Sequence, residues 1–194
     1  MKAIEIRNLN KTFSQSVKSS SIKGRFKQIF KPEVKIFSAV NDISLDIEQG
    51  EAVAFIGPNG AGKPTTIKIL TGILNPSSGD AKVLGLVPWK ERIQLAYQIG
   101  CVFGQKSQLW MHLPAVDTFN LLAKIYNIDK NKYERRKNEL IHLFELKEFI
   151  HLPIRKLSLR HRMRCEVAAS LLHEPKMIFL DEPTIGLEKK KKNS

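Results

Sequence analysis

The chain has 194 residues, 42% of them hydrophobic, with two cysteines and a formal net charge of +13. Such a length and apolar content support a buried core and exclude a disordered tail, while two cysteines without metal-type spacing exclude a disulfide scaffold, so Cys101 and Cys165 are read as reduced packing residues. The positive excess sits in residues 18–37, 155–164 and 189–192; it reads as solvated or membrane-facing loops, with nucleic-acid binding as the competing reading, disfavoured by the sparse aromatic interleaving.

Alternation in residues 3–7 and 43–47 predicts two half-buried antiparallel strands. Between them residues 14–38 read as a Ser-rich, basic surface insertion, with residues 25–30 as a short amphipathic turn of helix before Pro32. The apolar run 52–56 predicts a buried strand that enters a glycine-rich loop, and residues 65–74 have helical spacing. Residues 81–84 and 100–103 predict further strands; residues 116–126, 132–150 and 158–172 predict three helices, and 177–180 a last strand. The expected fold is α/β, one domain over 1–194 with a helical lobe at 106–165 and a disordered Lys-rich tail at 188–194. Apolar runs are far shorter than the roughly 20 residues of a membrane span, and the N-terminus lacks a signal-peptide apolar region, which predicts a cytosolic protein.

Two motifs carry chemistry. In Gly57-Pro58-Asn59-Gly60-Ala61-Gly62-Lys63 the glycines let the backbone curl and aim N–H groups at phosphate oxygens, with the following helix N-terminus and the Lys63 ammonium adding positive potential. A tight turn is the plain alternative, and the strand, loop and helix order with Gly-Lys at this spacing argues against it. Downstream, the apolar strand ending in Asp181-Glu182 would deliver one carboxylate to a magnesium ion and the next to an attacking water. Its plain alternative is an acidic strand end that caps a turn before Pro183.

These residues, with Gln105 after an apolar strand, Leu157-Ser158 opening a helix, and Gly186-Leu187 after Asp181-Glu182-Pro183-Thr184, resemble an ATP-binding cassette ATPase. Val87-Pro-Trp-Lys90, Phe103-Gly-Gln105, Gln108-Leu-Trp110 and Arg162-Met-Arg164 look most like ATPase subunits of bacterial type 2 exporters. The resemblance implies a P-loop NTPase cassette with an N-terminal antiparallel β subdomain and an inserted helical lobe. It implies ATP and Mg2+ as cofactors, a head-to-tail homo- or heterodimer, and an integral membrane exporter subunit as partner at the inner face of the membrane. It places Phe13 on the adenine, Gly57 to Lys63 with Pro64, Thr65 and Thr66 on the phosphates, Asp181 and Gln105 on magnesium, and Glu182 and Gln105 on the attacking water. Leu157 and Ser158 fall in the signature that meets the γ-phosphate of the opposite protomer, and the loop through Trp110 meets the membrane subunit.

The sequence departs from that family in four places. Pro64 stands where the metal-binding hydroxyl belongs and also lacks a backbone N–H. Arg160 and His161 replace glycine and glutamine in the signature, and Met111-His112 replace an aromatic and an acid. The sequence stops soon after Glu188, before the strand that bears the family's switch histidine, so the final strands of the cassette are expected to be missing. The leading expectation is an exporter ATPase with impaired hydrolysis. The alternatives are an inert truncated remnant, and a soluble cassette protein acting on nucleic acid.

Overall fold

Strand β1 (Lys2–Ser16) pairs antiparallel with β2 (Val34–Glu48) and, along its other edge, with β3 (Ser78–Val83), giving a three-stranded sheet in the order β2-β1-β3. The structure, a computed structural model, describes residues 2–16, 34–58, 60–104 and 107–181. Ile4 and Ile6 face Ile47 and Leu45 on one side and Val83 and Ala81 on the other. Ile4, Ile6, Ile47, Ala81 and Val83 are all buried, the apolar face expected of alternating strands. The ladder slips between Ile6 and Leu9, where Asn8 takes φ 46° and its side chain donates to Asp42 Oδ1 at 2.9 Å. Asparagine tolerates that left-handed backbone better than most residues.

Two expectations about the strands need correction. Within the expected surface insertion, residues 14–16 and 34–38 are strand, because Phe13↔Phe37, Ser14↔Ile36 and Gln15↔Lys35 continue the ladder, with the exposed Phe37 and Ile36 favouring pleated backbone. Residues 17–33, including the amphipathic turn at 25–30, lie outside the described residues. The second correction is larger: residues 51–58 carry no strand, with Val53 52% and Ile56 94% exposed. An apolar run becomes a buried strand only where neighbours bond its edges, and neither sheet includes it.

Helix α1 (Lys63–Leu70) follows the glycine-rich loop and buries Thr66, Ile67, Ile69 and Leu70. It closes at Thr71, whose N–H returns to Ile67 O, rather than running to residue 74. The short α2 (Arg92–Ala96) was not expected from the sequence; its buried residue is Leu95.

The chain divides into two compact units, Met1–Leu95 and Ala96–Ser194. In the second, β4 (Ile99–Phe103) and β5 (Met177–Asp181) pair in parallel with Cys101 opposite Phe179 and Phe103 opposite Asp181. Helices α3 (Ala115–Ile125), α4 (Lys130–Leu143) and α5 (Leu159–Ser170) surround a core that includes the fully buried Phe119, Leu140, Leu146 and Ile150. Asp129 caps α4 by accepting from the N–H groups of Asn131 and Lys132 at 2.9 and 3.1 Å. That helix ends seven residues before the expected residue 150, since Glu145 adopts φ 52° and the segment to Ile150 is turn. Gly100 admits the C-terminus of α5, for a Cβ there would lie 2.6 Å from Ser170 O. Both cysteines are free, and burial pushes each thiol up to about 12, which makes them inert packing groups. The Lys-rich tail at 188–194 lies outside the described residues.

Candidate functional site

Two sets of sequence-nominated residues are found, one in each unit. In the first, the loop closes on itself where Ala61 N–H donates to Pro58 O at 3.2 Å, and α1 begins with Thr66 N–H to Gly62 O at 2.9 Å. Gly62 caps the helix at φ 80°, and a Cβ there would fall 2.0 Å from the Ala39 carbonyl oxygen of β2. Only glycine fits a left-handed residue pressed that closely on backbone. Gly57, Pro58, Gly60 and Ala61 are exposed, Lys63, Pro64 and Thr65 half-buried, and Asn59 lies outside the described residues.

The Lys63 ammonium folds back over this loop, donating to Gly57 O at 2.5 Å and Pro58 O at 2.9 Å. Pro64 sits in the first turn of α1, where the missing N–H costs the helix nothing. Thr66 is no substitute for the missing hydroxyl, because its buried Oγ1 donates to Gly62 O at 3.2 Å. Phe13 is 40% exposed on β1, opposite Phe37, with Lys11 Nζ 5.1 Å from its ring centroid. A half-open aromatic face beside a cation suits a stacked base.

In the second unit Asp181 ends β5, half-buried, and its carbonyl accepts from Gly104 N–H at 2.9 Å. This bond ties the acidic strand end to the first residue after β4. Gln105 and Glu182, the remaining nominated groups near that edge in sequence, lie outside the described residues. Ser158 is exposed at the N-cap of α5, its Oγ accepting from His161 N–H at 3.2 Å, with Leu157 buried in the core behind it. A hydroxyl at a helix N-terminus, with the exposed Arg160 two residues on in the sequence, suits an anion. His161 packs rather than catalyses: its ring stacks on Phe149 with centroids 4.3 Å apart.

The first unit offers a donor set suited to a polyphosphate, with curled backbone, a helix N-terminus and Lys63; in the second, Ser158 stands by itself at the N-terminus of α5. Magnesium takes oxygen ligands; among the described candidates Asp181 carries a carboxylate, and the Pro64 side chain carries no oxygen. One group escaped the sequence reading altogether. Glu166, only 4% exposed inside α5, accepts from residues 107 and 108; the available signal was a lone acid in the apolar helical run Cys165-Glu-Val-Ala-Ala169.

Among known proteins, the profile of the family described as ABC transporter matches residues 40–185. The ABC transporter ATP-binding protein NatA of Bacillus subtilis is 31% identical over 82% of this chain and 65% of its own length. The probable multidrug ABC transporter ATP-binding protein YbhF of Escherichia coli is 34% identical over 78% of this chain and 26% of its own. This chain therefore spans less than two thirds of the length of either relative. A solved dimeric ATP-binding cassette in a post-hydrolysis state, bound to ADP and Pi, superposes with a TM-score of 0.76 at 24% identity, covering 96% of this chain and 77% of that one. That likeness establishes the cassette fold.

Proposed function

Because this chain belongs to the ABC transporter family, we propose that it is the ATP-binding subunit of a membrane exporter, built to hydrolyse ATP but impaired in that step. The observation that carries the reading is the phosphate loop: Gly62 locked against Ala39 sets the start of α1, and Lys63 sits over the loop's own carbonyls. ATP phosphates would replace those carbonyls as partners of the ammonium and take the loop N–H groups as donors. Phe13 would stack on the adenine, and Ser158 would meet the γ-phosphate held by a second cassette arranged head to tail.

Magnesium, when bound, screens the terminal phosphates and helps polarise the γ-phosphoryl group. In this chain Asp181 with Gln105 would hold it, and Glu182 would orient the attacking water. Pro64 withholds the remaining ligand, while Lys63 keeps its place as the first residue of α1. Arg160 adds bulk where the signature backbone must come close to phosphate. The impairment proposed is thus in metal retention and alignment, not in the fold.

The names of the relatives, an ABC transporter ATP-binding protein and a probable multidrug one, support an exporter partner. So does an exposed Trp110 beside Leu113 on a loop pinned by Arg155 N–H to Met111 O at 2.9 Å and Ile154 N–H to Leu113 O at 3.1 Å. In this reading the chain docks at the inner face of the membrane on the exporter subunit; no helix of the described residues is long and apolar enough to cross a membrane.

The test is ATP binding and turnover, with and without magnesium, by the chain and by Pro64→Ser. Binding by both, with turnover raised by about 10²- to 10³-fold in Pro64→Ser, is expected. Equal turnover would remove the proposed impairment, and no binding by either would remove the ATP-binding reading.

A further inference from the structure

The buried acid of α5 has no part in the reading above, although every donor it meets lies on the segment that follows Gln105. One Glu166 carboxylate oxygen accepts from the Ser107 hydroxyl and the other from Gln108 N–H at 3.2 Å. The bonding is reciprocal along the backbone, because the Gln108 side-chain amide donates to the Glu166 carbonyl at 3.0 Å. Ser107 Oγ in turn accepts from Leu109 N–H at 3.1 Å, so the carboxylate closes a small turn over residues 107–109. Leu109 drops into the core at 3% exposure, whereas Ser107 and Gln108 stay exposed.

A carboxylate this buried is tolerated because it is met by donors; left without them it would cost far more than an apolar residue in its place. Cys165, Ala168 and Ala169 around it are all packed into the core, so an apolar side chain at 166 would satisfy the helix equally well. What only an acid does at this position is grip the 107–109 turn. Glu166 also lies eight residues after Ser158, about two turns along one helix, so the signature serine and the gripped turn sit at two points of the same rigid rod.

We infer that Glu166 is a positioning residue that locks the turn at 107–109 onto α5, so that the segment leading out of Gln105 and the helix capped by Ser158 respond to nucleotide as one body. The inference rests on the ATP-binding reading for the nucleotide part alone; the lock itself is a property of the protein without ligand. At the other end of the segment, Gly104 N–H is held by Asp181 O. Between them the two ties bracket the residue that the resemblance assigns to the metal and the water.

Amide hydrogen exchange, read by NMR on the whole chain, tests both parts. In Glu166→Gln and in Ser107→Ala, exchange at Gln108 and Leu109 is expected to rise about tenfold or more, with α3 and α4 unchanged. The two variants cut the lock from opposite sides, and Ser107 is an exposed loop residue, so a poorly folded Glu166 variant leaves Ser107→Ala to decide. Unchanged exchange at Gln108 and Leu109 in a folded variant overturns the lock, as does a rise spread through the whole second unit. With ATP and magnesium added, protection at the start of α5 and at residues 107–109 is expected to change together in the unaltered chain and separately in the variants. A coupled response that survives in the variants overturns the positioning role. If the unaltered chain does not bind ATP at all, the ATP-binding reading fails, while exchange in the ligand-free protein still decides the lock.

Discussion

Lys63 Nζ donates to the Gly57 carbonyl oxygen at 2.5 Å, bending the lysine back onto the loop that precedes its own helix. The contact places the ammonium where a phosphate would compete for it, and it sets the sense of the first prediction.

Replacing Lys63 by Ala removes a charge-assisted donor from the phosphates and leaves α1 intact, since the ammonium donates to the loop carbonyls of Gly57 and Pro58. ATP affinity is expected to fall by about 10- to 100-fold, with the thermal unfolding midpoint of the free protein little changed. Fluorescence titration with an ATP analogue reads the first quantity and calorimetry the second.

Gly62→Ala attacks the same loop through its backbone. The added Cβ meets Ala39 O at 2.0 Å with φ at 80°, so β2 and the start of α1 must part or the loop must change its conformation. A loss of about 1–3 kcal/mol is expected from urea unfolding, together with loss of ATP binding. A variant as stable as the unaltered chain would contradict the close approach.

Ser158 combines a structural and a chemical role, and two substitutions separate them. Ser158→Ala removes the cap bond to His161 N–H and should cost about 1 kcal/mol. Ser158→Asp restores the cap, because an aspartate accepts from the same N–H, yet puts a negative charge where the γ-phosphate is proposed to sit. Stability should recover in the aspartate variant while ATP-dependent dimerisation, followed by light scattering, is lost in both.

His173 stacks face to face on Tyr126 at 3.9 Å, and its Nε2 lies 3.0 Å from Ile99 O at the start of β4. Its Nδ1 is buried without a partner. Burial holds this imidazole below its ordinary value, opposed in part by the Ile99 carbonyl. A histidine with a depressed folded-state pKa binds protons more readily when unfolded, so its contribution is complete above the unfolded value of about 6.5 and declines as the pH falls through it. Stability from urea titrations at pH 7.5 and pH 5 should therefore decrease toward acid, and His173→Gln should flatten that slope.

Much of the fold was legible locally. Alternation located β1 and β2, helical spacing located α3 and α5, and Ser158 was read as opening a helix, because each signal depends on residues within a turn or a strand of one another. The apolar run at 52–56 shows the limit. Its composition predicts a strand, yet strand formation depends on hydrogen-bonding neighbours from elsewhere in the chain, and the two sheets provide none.

By itself the sequence determined the cassette: a glycine-rich loop before α1, an acidic end to β5, a serine at the head of α5, and a proline directly after Lys63, all readable because they are contiguous residues at characteristic spacing. The tertiary structure alone decided that Gly62 must be glycine against Ala39, that Lys63 rests on its own loop, and that Glu166 is a buried anchor for residues 107–109. Those three depend on atoms brought together from 23, six and 59 positions apart. The spacing of residues along a chain does not encode such separations, whereas folding turns them into contacts.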